Sequence, residues 1–251
     1  MNGSENAMTK SEVNTQDIQV AILAGGLGTR LRSVISDRNK VVADVNGTPF
    51  IDYLLYRLEN AGFSEVILCS GYKHEDLFAR LGTHYHQMRL HYSPEPAPLG
   101  TAGALRHALP LFTSEYILVL NGDSYCDLDF ERLIRQHFRQ RSQATLATVW
   151  VEDTRRYGTL LISPTGELIE FQEKSSDSTN GFINAGIYLL PKLLIETIPA
   201  RRALSLEQDI FPVWTKKRLI TVYHHNGHFI DIGTAASYRQ AQAILPSIAS
   251  I

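Results

Sequence analysis

Few cysteines and no long apolar segment occur in this sequence. The 251 residues include only Cys69 and Cys126, which lie far apart, each within an apolar run. This spacing excludes a zinc site built from cysteine pairs and a disulfide-rich secreted scaffold, and it predicts two buried, reduced thiols. No run is apolar for long enough to cross a bilayer, and residues 1–16 lack the apolar core of a signal peptide. We therefore expect a cytoplasmic protein without a membrane partner.

The sequence also lacks a surplus of charge of either sign. Its 24 Lys and Arg residues against 26 Asp and Glu residues give a formal net charge of −2, which provides no electrostatic footprint for nucleic acid. An anionic substrate must therefore be held by locally placed basic side chains and backbone amides. The hydrophobic fraction of 44% is that of an ordinary globular chain with a sizeable core, and it is compatible with a homo-oligomer.

Short apolar runs alternate with helical patterns through the first half of the chain. Apolar runs of this kind are typical of strands buried on both faces, and their alternation with helices indicates βαβ units. The sequence therefore predicts an α/β fold, with a mixed, mainly parallel central sheet flanked by helices. The predicted elements are strands at 18–24, 65–69, 89–92 and 116–120, and helices at 50–60, 75–81 and 101–109.

The second half of the chain is less regular and contains no linker or internal repeat. We expect one domain over residues 17–246, preceded by residues 1–16 as a disordered lead or a remnant of cloning. The final predicted strand, at 229–232, is expected to close the sheet before the last helix. The other predicted elements are strands at 144–151, 158–162, 168–171 and 181–190, and helices at 131–139, 206–214 and 235–244.

Glycines follow the first predicted strand directly, in the run Gly25-Gly26-Leu27-Gly28-Thr29-Arg30-Leu31. Glycines at a strand end let the backbone approach a ligand closely and direct its amides at the ligand. Phosphates are the ligands that such turns usually bind. The arginine adds a fork of donors suited to phosphate oxygens. A tight turn without a ligand is the alternative. The loop has neither the Gly-Lys-Ser/Thr ending of a P-loop nor the glycine spacing of a dinucleotide site.

Two carboxylates stand at predicted strand ends. Asp123 follows the strand at 116–120, and Asp231 lies in the strand at 229–232. Open α/β sheets bind ligands at the carboxyl ends of their strands, and hard oxygen ligands bridged by phosphates are typical of Mg²⁺ sites. The alternative is a turn residue and a residue near the N-cap of the last helix. Asp127 and Asp129 match the Asp-x-Asp pattern of glycosyltransferases, but capping of the helix at 131–139 explains them better.

The run from Gly25 to Leu31, followed by Lys40, resembles the signature of the sugar-1-phosphate nucleotidyltransferases. The resemblance extends from about residue 18 to residue 243 and implies the Rossmann-like fold of that family. The family normally has proline on both sides of the lysine, whereas this chain has Asn39 and Val41. A catalytically silent nucleotide-sugar-binding subunit is therefore an alternative to an enzyme, and a glycosyltransferase that uses Asp127 and Asp129 is a further one.

The resemblance implies a reaction in which a sugar 1-phosphate attacks the α-phosphorus of an NTP and releases pyrophosphate. It implies catalytic roles for Arg30, Lys40 and Asp123, and Mg²⁺ held by Asp123 and Asp231. The implied nucleotide-binding residues are Leu23, Ala24, Gly25, Gly26, Gly28, Thr29, Glu95, Gly100, Thr101 and Gly122. The implied sugar-phosphate-binding residues are Tyr157, Gly158, Glu173, Lys174 and Asn184.

Within that family the sequence looks most like the D-glycero-D-manno-heptose 1-phosphate guanylyltransferases. The likeness lies in the first glycine loop and in the run Arg156-Tyr157-Gly158-Thr159. It implies GTP and the heptose 1-phosphate as substrates, in GDP-heptose supply for surface polysaccharide, with mannose 1-phosphate guanylyltransferase as the close alternative. Guanine offers N1–H and N2–H donors that Glu95 can accept, whereas adenine presents the reverse pattern. A surface position for Glu95 is the alternative.

Overall fold

Fourteen strands and seven α-helices are present in the part of the chain that the computed structural model describes, residues 13–26, 39–71, 73–172 and 179–249. The strands are β1 (Gln19–Ala24), β2 (Asp44–Val45), β3 (Thr48–Pro49), β4 (Glu65–Ser70), β5 (His84–Tyr85), β6 (Met88–Pro94), β7 (Tyr116–Asn121), β8 (Ser124–Cys126), β9 (Ala144–Val151), β10 (Thr159–Ile162), β11 (Leu168–Gln172), β12 (Gly181–Pro191), β13 (Ile220–His225) and β14 (Phe229–Asp231).

The helices lie between these strands, and several short turns of other helix types connect them. The α-helices are α1 (Phe50–Asn60), α2 (His74–Leu81), α3 (Gly100–His107), α4 (Phe130–Arg139), α5 (Lys192–Glu196), α6 (Phe211–Lys216) and α7 (Ala235–Ile248). Single turns of 3-10 helix occur at Thr15–Asp17, Lys40–Val42 and Leu109–Leu111, and a π-helix at Leu206–Ile210 leads into α6.

Four parallel strands form the centre of a ten-stranded sheet, in the order β7–β1–β4–β6. Their side chains alternate between two apolar clusters, one on each face: Val20 and Ile22 enter the first cluster, and Ala21 enters the second. Burial on both faces explains why these strands appear in the sequence as continuous apolar runs. The predicted α/β fold with a mixed, mainly parallel central sheet flanked by helices is therefore confirmed.

Antiparallel strands extend this centre beyond β7. The long strand β12 pairs with β7 through its second half and with β10 at Ile183, while β9 follows its other edge. The register of β12 against β9 shifts between Asn184 and Tyr188, where Gly186 has a φ of +72°. A residue with a side chain is strained at this dihedral, so a glycine allows the strand to bulge there.

The last predicted strand does not close the central sheet, and that expectation was wrong. β14 instead pairs antiparallel with β8 in a separate two-stranded sheet, in which Asp231 lies opposite Ser124. The chain leaves the central sheet after β7, and the short strand β8 that follows offers the free edge that β14 uses. This departure from the expected topology places Asp231 beside the end of β7.

Other elements were absent from the sequence prediction. The strand β13 runs parallel to β9, and the hairpin β2–β3 precedes α1. The predicted helix at 206–214 divides into the π-helix and α6. The helices of the described residues include none that is both long and apolar enough to span a membrane.

Both cysteine side chains are buried and unpaired by disulfides, as predicted. Cys69 lies within β4, in the central sheet, and Cys126 ends β8. Burial raises the pKa of each thiol to about 12. A thiol with such a pKa remains protonated at neutral pH, so neither residue is a reactive thiolate.

The buried imidazole of His137 predicts a stability that depends on pH. His137 is 1% exposed, its Nδ1 contacts the Thr145 hydroxyl at 2.8 Å, and burial lowers its pKa from 6.5 to about 4. Between pH 6.5 and pH 4 the imidazole is protonated in the unfolded chain but remains neutral in the folded protein. The free energy of unfolding therefore falls as the pH drops from 6.5 towards 4. We expect this group to remove up to about 3 kcal/mol of unfolding free energy, measured by urea titration between pH 7 and pH 4.

The variant His137→Gln serves as the test, because a carboxamide does not titrate in this range. Its unfolding free energy should depend less steeply on pH than that of the wild type, whatever its stability at pH 7. His84→Gln is the matched control, since His84 is exposed and should leave the slope unchanged. Equal slopes for His137→Gln and the wild type would contradict the prediction.

Candidate active site at the carboxyl ends of the parallel strands

A cavity of about 280 Å³ opens where β1 and β7 end. It brings together six of the residues predicted to bind nucleotide, together with the predicted metal ligand Asp123. These six are Leu23, Gly25, Gly26, Glu95, Gly100 and Thr101. The predicted residues Ala24 and Gly122 are buried beside the cavity, and the Gly122 amide donates to the Leu23 carbonyl at 3.0 Å.

Glu95 lies inside this cavity and not on the outer surface. Its Oε2 accepts a hydrogen bond from the Leu99 amide at 2.7 Å. Its Oε1 packs closely on the glycine turn, since a Cβ at Gly25 would lie 2.3 Å from it. Burial raises the pKa of Glu95, and the Leu99 hydrogen bond partly offsets that rise. The half-buried carboxylate thus joins the two loops that face the cavity.

The N-terminus of α3 forms another wall of the cavity. Gly100 has a φ of +69°, and a Cβ there would lie 2.5 Å from the Leu204 carbonyl oxygen, so a side chain is excluded. The amides of Ala102 and Gly103 donate to the same carbonyl, at 2.9 and 3.2 Å. Two of the amides at this helix end are therefore used by the protein itself. The Thr101 hydroxyl also faces this segment, since it accepts from the Leu206 amide at 2.7 Å.

Lys40 and Asp123 form the charged centre of the site. The Lys40 Nζ lies 2.5 Å from Asp123 Oδ2, and the lysine side chain is only 11% exposed. Asp123 comes two residues after the end of β7, whereas Lys40 begins the 3-10 turn at Lys40–Val42. The structure therefore brings these two predicted catalytic residues together from positions 83 residues apart in the chain.

Asn39 explains how Lys40 is held although the family's proline is missing. Its buried side chain donates from Nδ2 to the Ala24 carbonyl and accepts at Oδ1 from the Val41 amide, both at 3.2 Å. Its φ of −61° is the value that a proline ring imposes. Asn39 thus gives the backbone the same dihedral by hydrogen bonding and also ties this turn to the end of β1. In this chain Asn39 therefore fixes the turn that carries Lys40.

Asp231 is held by a dense set of donors. Arg156 Nη2 contacts its two carboxylate oxygens at 2.7 and 2.6 Å, the Gly233 amide donates at 2.7 Å, and the hydroxyls of Tyr157 and Ser237 also donate. Burial alone would raise the pKa of Asp231, but the Tyr157 and Gly233 hydrogen bonds and the Arg156 charge outweigh it. The pKa is consequently lowered and the carboxylate is ionised at neutral pH.

Arg156 was not among the predicted site residues. Its position directly before the Tyr157-Gly158 pair was the available signal, because an arginine beside a ligand-binding segment is suited to pair with a carboxylate or phosphate. Its contact with Asp231, 75 residues away, could not be inferred from local pattern.

Asp123 and Asp231 provide carboxylate oxygens, the ligand type that Mg²⁺ prefers. The Ile232 amide donates to the Asp123 carbonyl at 2.9 Å, which fixes the segment carrying one carboxylate against the segment carrying the other. No cluster of three or more His, Cys, Asp or Glu residues suited to a metal occurs among the described residues. Two carboxylates with the remaining positions left to phosphates and water is the usual arrangement for Mg²⁺ in phosphate-handling sites.

Two of the predicted sugar-phosphate residues lie near each other on the antiparallel side of the sheet. Thr159 of β10 pairs with Ile183 of β12, so Gly158, directly before β10, is close to Asn184 of β12. The Asn184 Oδ1 accepts from the Gly186 amide at 2.8 Å. Tyr157, next in the chain, reaches the Asp231 carboxylate and thereby links this side of the site to the predicted metal ligands.

Asp127 and Asp129 have structural partners. Asp127 Oδ1 lies 2.6 Å from His225 Nε2, and Asp129 caps α4 by accepting from the Arg132 amide at 2.9 Å. These contacts support the capping interpretation over a metal-binding Asp-x-Asp pair. Five predicted site residues lie outside the described residues: Gly28, Thr29, Arg30, Glu173 and Lys174.

The comparison with protein families identifies the family of the chain. Residues 19–247 match the Nucleotidyl transferase family. The chain belongs to this family. The glycine turn and the strand-end aspartate that line the cavity, and the lysine that contacts this aspartate, therefore belong to a nucleotidyl transferase.

Similar proteins include heptose and mannose guanylyltransferases. A D-glycero-alpha-D-manno-heptose 1-phosphate guanylyltransferase from Aneurinibacillus thermoaerophilus is 36% identical, over 90% of this chain and 97% of that protein. A mannose-1-phosphate guanylyltransferase from Mycobacterium tuberculosis is 30% identical, over 92% of this chain and 65% of that protein. The crystal structure of HddC from Yersinia pseudotuberculosis, complexed with GMP-PN, is 34% identical with a TM-score of 0.81, over 90% of this chain and 98% of that one.

Replacing Asn39 should slow this nucleotidyl transferase by releasing Lys40. Asn39→Ala removes both side-chain hydrogen bonds that hold the turn, and a small displacement of a charged group can cost on the order of 10- to 100-fold in kcat. Asn39→Pro is the matched variant, because its ring restores the dihedral of −61° without those hydrogen bonds. We expect the order wild type, Asn39→Pro, Asn39→Ala in pyrophosphate release. A proline variant slower than the alanine variant would refute this account.

Proposed function

We propose that this protein is a Mg²⁺-dependent guanylyltransferase that forms GDP-heptose and pyrophosphate from GTP and D-glycero-D-manno-heptose 1-phosphate. The observation that carries the proposal is the Lys40–Asp123 pair, 2.5 Å apart, because Asp123 lines the cavity together with the glycine turn. Similarity to heptose guanylyltransferases over nearly the whole length of both chains supports the choice of substrates.

The reaction is a direct displacement at phosphorus. A phosphate oxygen of the sugar 1-phosphate forms a bond to the α-phosphorus of GTP while the bond to the oxygen of the β-phosphate breaks, and pyrophosphate leaves with that oxygen. Such a reaction needs no protein nucleophile, and catalysis depends on position and charge. Lys40 neutralises phosphate charge next to Asp123, and we assign Arg30 to the leaving pyrophosphate.

Asp123 and Asp231 would hold the Mg²⁺. When bound, the ion supplies positive charge that orients the α-phosphate and offsets its developing negative charge. The ionised state of Asp231 favours this role, because Arg156 and the hydrogen-bond donors around it already hold the carboxylate in its charged form. Asp123 has Lys40 as its ion-pair partner, with Nζ 2.5 Å from Oδ2.

Base selection is assigned to Glu95. One of its oxygens is bound to the Leu99 amide, and the other faces the glycine turn within the cavity. A carboxylate fixed in this way accepts from N1–H and N2–H of guanine, whereas adenine has no donor at N1 and would leave the buried oxygen unpaired. Mismatches of this kind give polar pockets strong discrimination.

The sugar half of the site is assigned to Tyr157, Gly158 and Asn184, with Glu173 and Lys174 as the acceptor for sugar hydroxyls and the cation for the sugar phosphate. The closeness of Gly158, directly before β10, to Asn184 of β12 supports a common half-site. Mannose 1-phosphate is the second candidate substrate, because a mannose-1-phosphate guanylyltransferase is among the similar proteins.

The proposal is tested by pyrophosphate release across a matrix of nucleotides and sugar phosphates. We expect the highest kcat/KM for GTP among GTP, ATP, CTP, UTP and dTTP, and for the heptose 1-phosphate over mannose 1-phosphate and glucose 1-phosphate. A preferred pyrimidine nucleotide would refute the guanylyl assignment. Transfer from a ready-made sugar nucleotide to an acceptor, without pyrophosphate, would support a glycosyltransferase instead.

The metal assignment predicts a sharp contrast between aspartates. Asp123→Asn and Asp231→Asn should each reduce kcat by roughly 100-fold or more, because loss of a metal ligand removes several kcal/mol of charge stabilisation. Asp127→Asn is the matched control and should stay near the wild-type rate, since Asp127 contacts His225. Rates are measured at saturating Mg²⁺ with thermal unfolding in parallel. A near-normal rate for either of the first two variants would remove that residue from the metal site.

A further inference from the structure

Glu207 collects hydrogen bonds from residues on both sides of the site. It lies in the π-helix at Leu206–Ile210. This helix type is rare, and where it occurs it often lies at a functional site. Its Oε2 accepts from the Thr101 hydroxyl at 3.1 Å and from the Ser205 hydroxyl at 2.9 Å. Its Oε1 accepts from the Tyr188 hydroxyl at 3.1 Å. One carboxylate oxygen therefore contacts Thr101 on the nucleotide side, and the other contacts Tyr188 on the sugar side.

Tyr188 carries the contact from Glu207 to the sugar side. Its ring is fully buried in the apolar cluster beneath the sheet, and its hydroxyl accepts from the Asn184 Nδ2 at 2.7 Å. A hydroxyl has one hydrogen and two lone pairs, so Tyr188 donates to Glu207 and accepts from Asn184 at the same time.

The direction of these bonds fixes the orientation of Asn184. Because the single Tyr188 hydrogen goes to the carboxylate, which can only accept, Tyr188 must receive the amide nitrogen of Asn184. The Asn184 oxygen is bound to the Gly186 amide at 2.8 Å. One N–H and one lone pair of the carboxamide remain for a ligand, in positions that Glu207 sets through Tyr188.

The same carboxylate supports the nucleotide side. Thr101 stands at the start of α3, lines the cavity, and accepts from the Leu206 amide while it donates to Glu207. Leu204 adds three backbone contacts, since it donates to the Leu99 carbonyl at 2.8 Å and accepts from the Ala102 and Gly103 amides at 2.9 and 3.2 Å. The segment 204–207 therefore holds the loop that we assign to the nucleotide.

From these contacts we infer that Glu207 is a positioning residue that couples the two half-sites: through Thr101 it holds the nucleotide wall, and through Tyr188 it orients Asn184 towards the sugar. The inference rests on the proposed function. Glu207 acts through its neighbours, so its loss should change how each substrate is used without removing a group that touches the reacting atoms.

The test compares Tyr188→Phe and Glu207→Gln, two substitutions of nearly equal shape. Tyr188→Phe removes only the hydroxyl that links Glu207 to Asn184. We expect kcat/KM for the best sugar 1-phosphate to fall by roughly 5- to 100-fold, with KM for GTP within about twofold of the wild type. Glu207→Gln leaves one acceptor oxygen where the hydroxyls of Thr101 and Tyr188 now have one each. We therefore expect kcat/KM to fall for both substrates. Glu196→Gln, an exposed glutamate on α5, is the control and should leave both constants unchanged.

The double variant decides whether the two residues act as one chain. If Glu207 reaches the sugar through Tyr188, the sugar-side loss in Tyr188→Phe/Glu207→Gln should not exceed the larger single loss, whereas independent residues give the product of the two losses. Thermal unfolding of every variant separates a loss of folded protein from a loss of positioning.

Three results would overturn the inference: an unchanged sugar-phosphate kcat/KM in folded Tyr188→Phe, an equal effect of Tyr188→Phe on both substrates, or multiplicative losses in the double variant. Failure of the wild type to turn over any pair of substrates contradicts the proposed function itself, and the inference with it. Wild-type turnover combined with silent variants contradicts the inference alone.

Discussion

The parallel pairing of β1 with β7 is the constraint on which the site depends. Leu23 pairs with Asn121, and the Gly122 amide donates to the Leu23 carbonyl, so the glycine turn and Asp123 leave the sheet side by side. Both strands are buried on both faces, so a one-residue slip would move each side chain into the opposite apolar cluster and disrupt the packing of both. Lys40, Asn39 and the nucleotide loop are then attached to these two strand ends by polar contacts.

Charge in this site is stabilised pairwise. Lys40 is mostly buried, and its ammonium group would be costly there without the Asp123 carboxylate 2.5 Å away. Asp231 is similarly enclosed, with Arg156 as its partner. Two opposite-charge pairs lie close to one another, and each contributes one carboxylate to the proposed metal position. The site therefore carries charged groups suited to phosphates and Mg²⁺ in a chain whose formal net charge is only −2.

Local pattern was sufficient for most of the elements and for the location of the site. The helix Phe50–Asn60 and the strand Ala144–Val151 were predicted at their observed bounds, because each has a periodicity that its own sequence determines. The predicted position of Asp123 at a strand end followed from the apolar run before it. Resemblance to a family supplied the remaining roles, which sequence periodicity cannot provide.

The features that the sequence did not predict share one physical cause. They depend on contacts between segments that are distant in the chain. β14 was expected in the central sheet because its composition suits any free edge, and only the folded chain shows that β8 offers one. The pairing of Arg156 with Asp231 and the bond from Tyr188 to Glu207 are side-chain contacts whose partners have no fixed spacing. A sheet pattern determines which face a residue occupies, whereas it leaves open which polar group it meets.

The way the half-sites are attached has a consequence for specificity. The strands are held by apolar burial, which is indifferent to the direction of a dipole, whereas Asn39, Glu95 and Glu207 act through hydrogen bonds that have a donor end and an acceptor end. A substitution in such a bond can invert the donor pattern that a ligand meets while the core remains packed. In this fold, a change of base or sugar can therefore arise at polar residues behind the cavity wall, without any change in the sheet that positions the reacting groups.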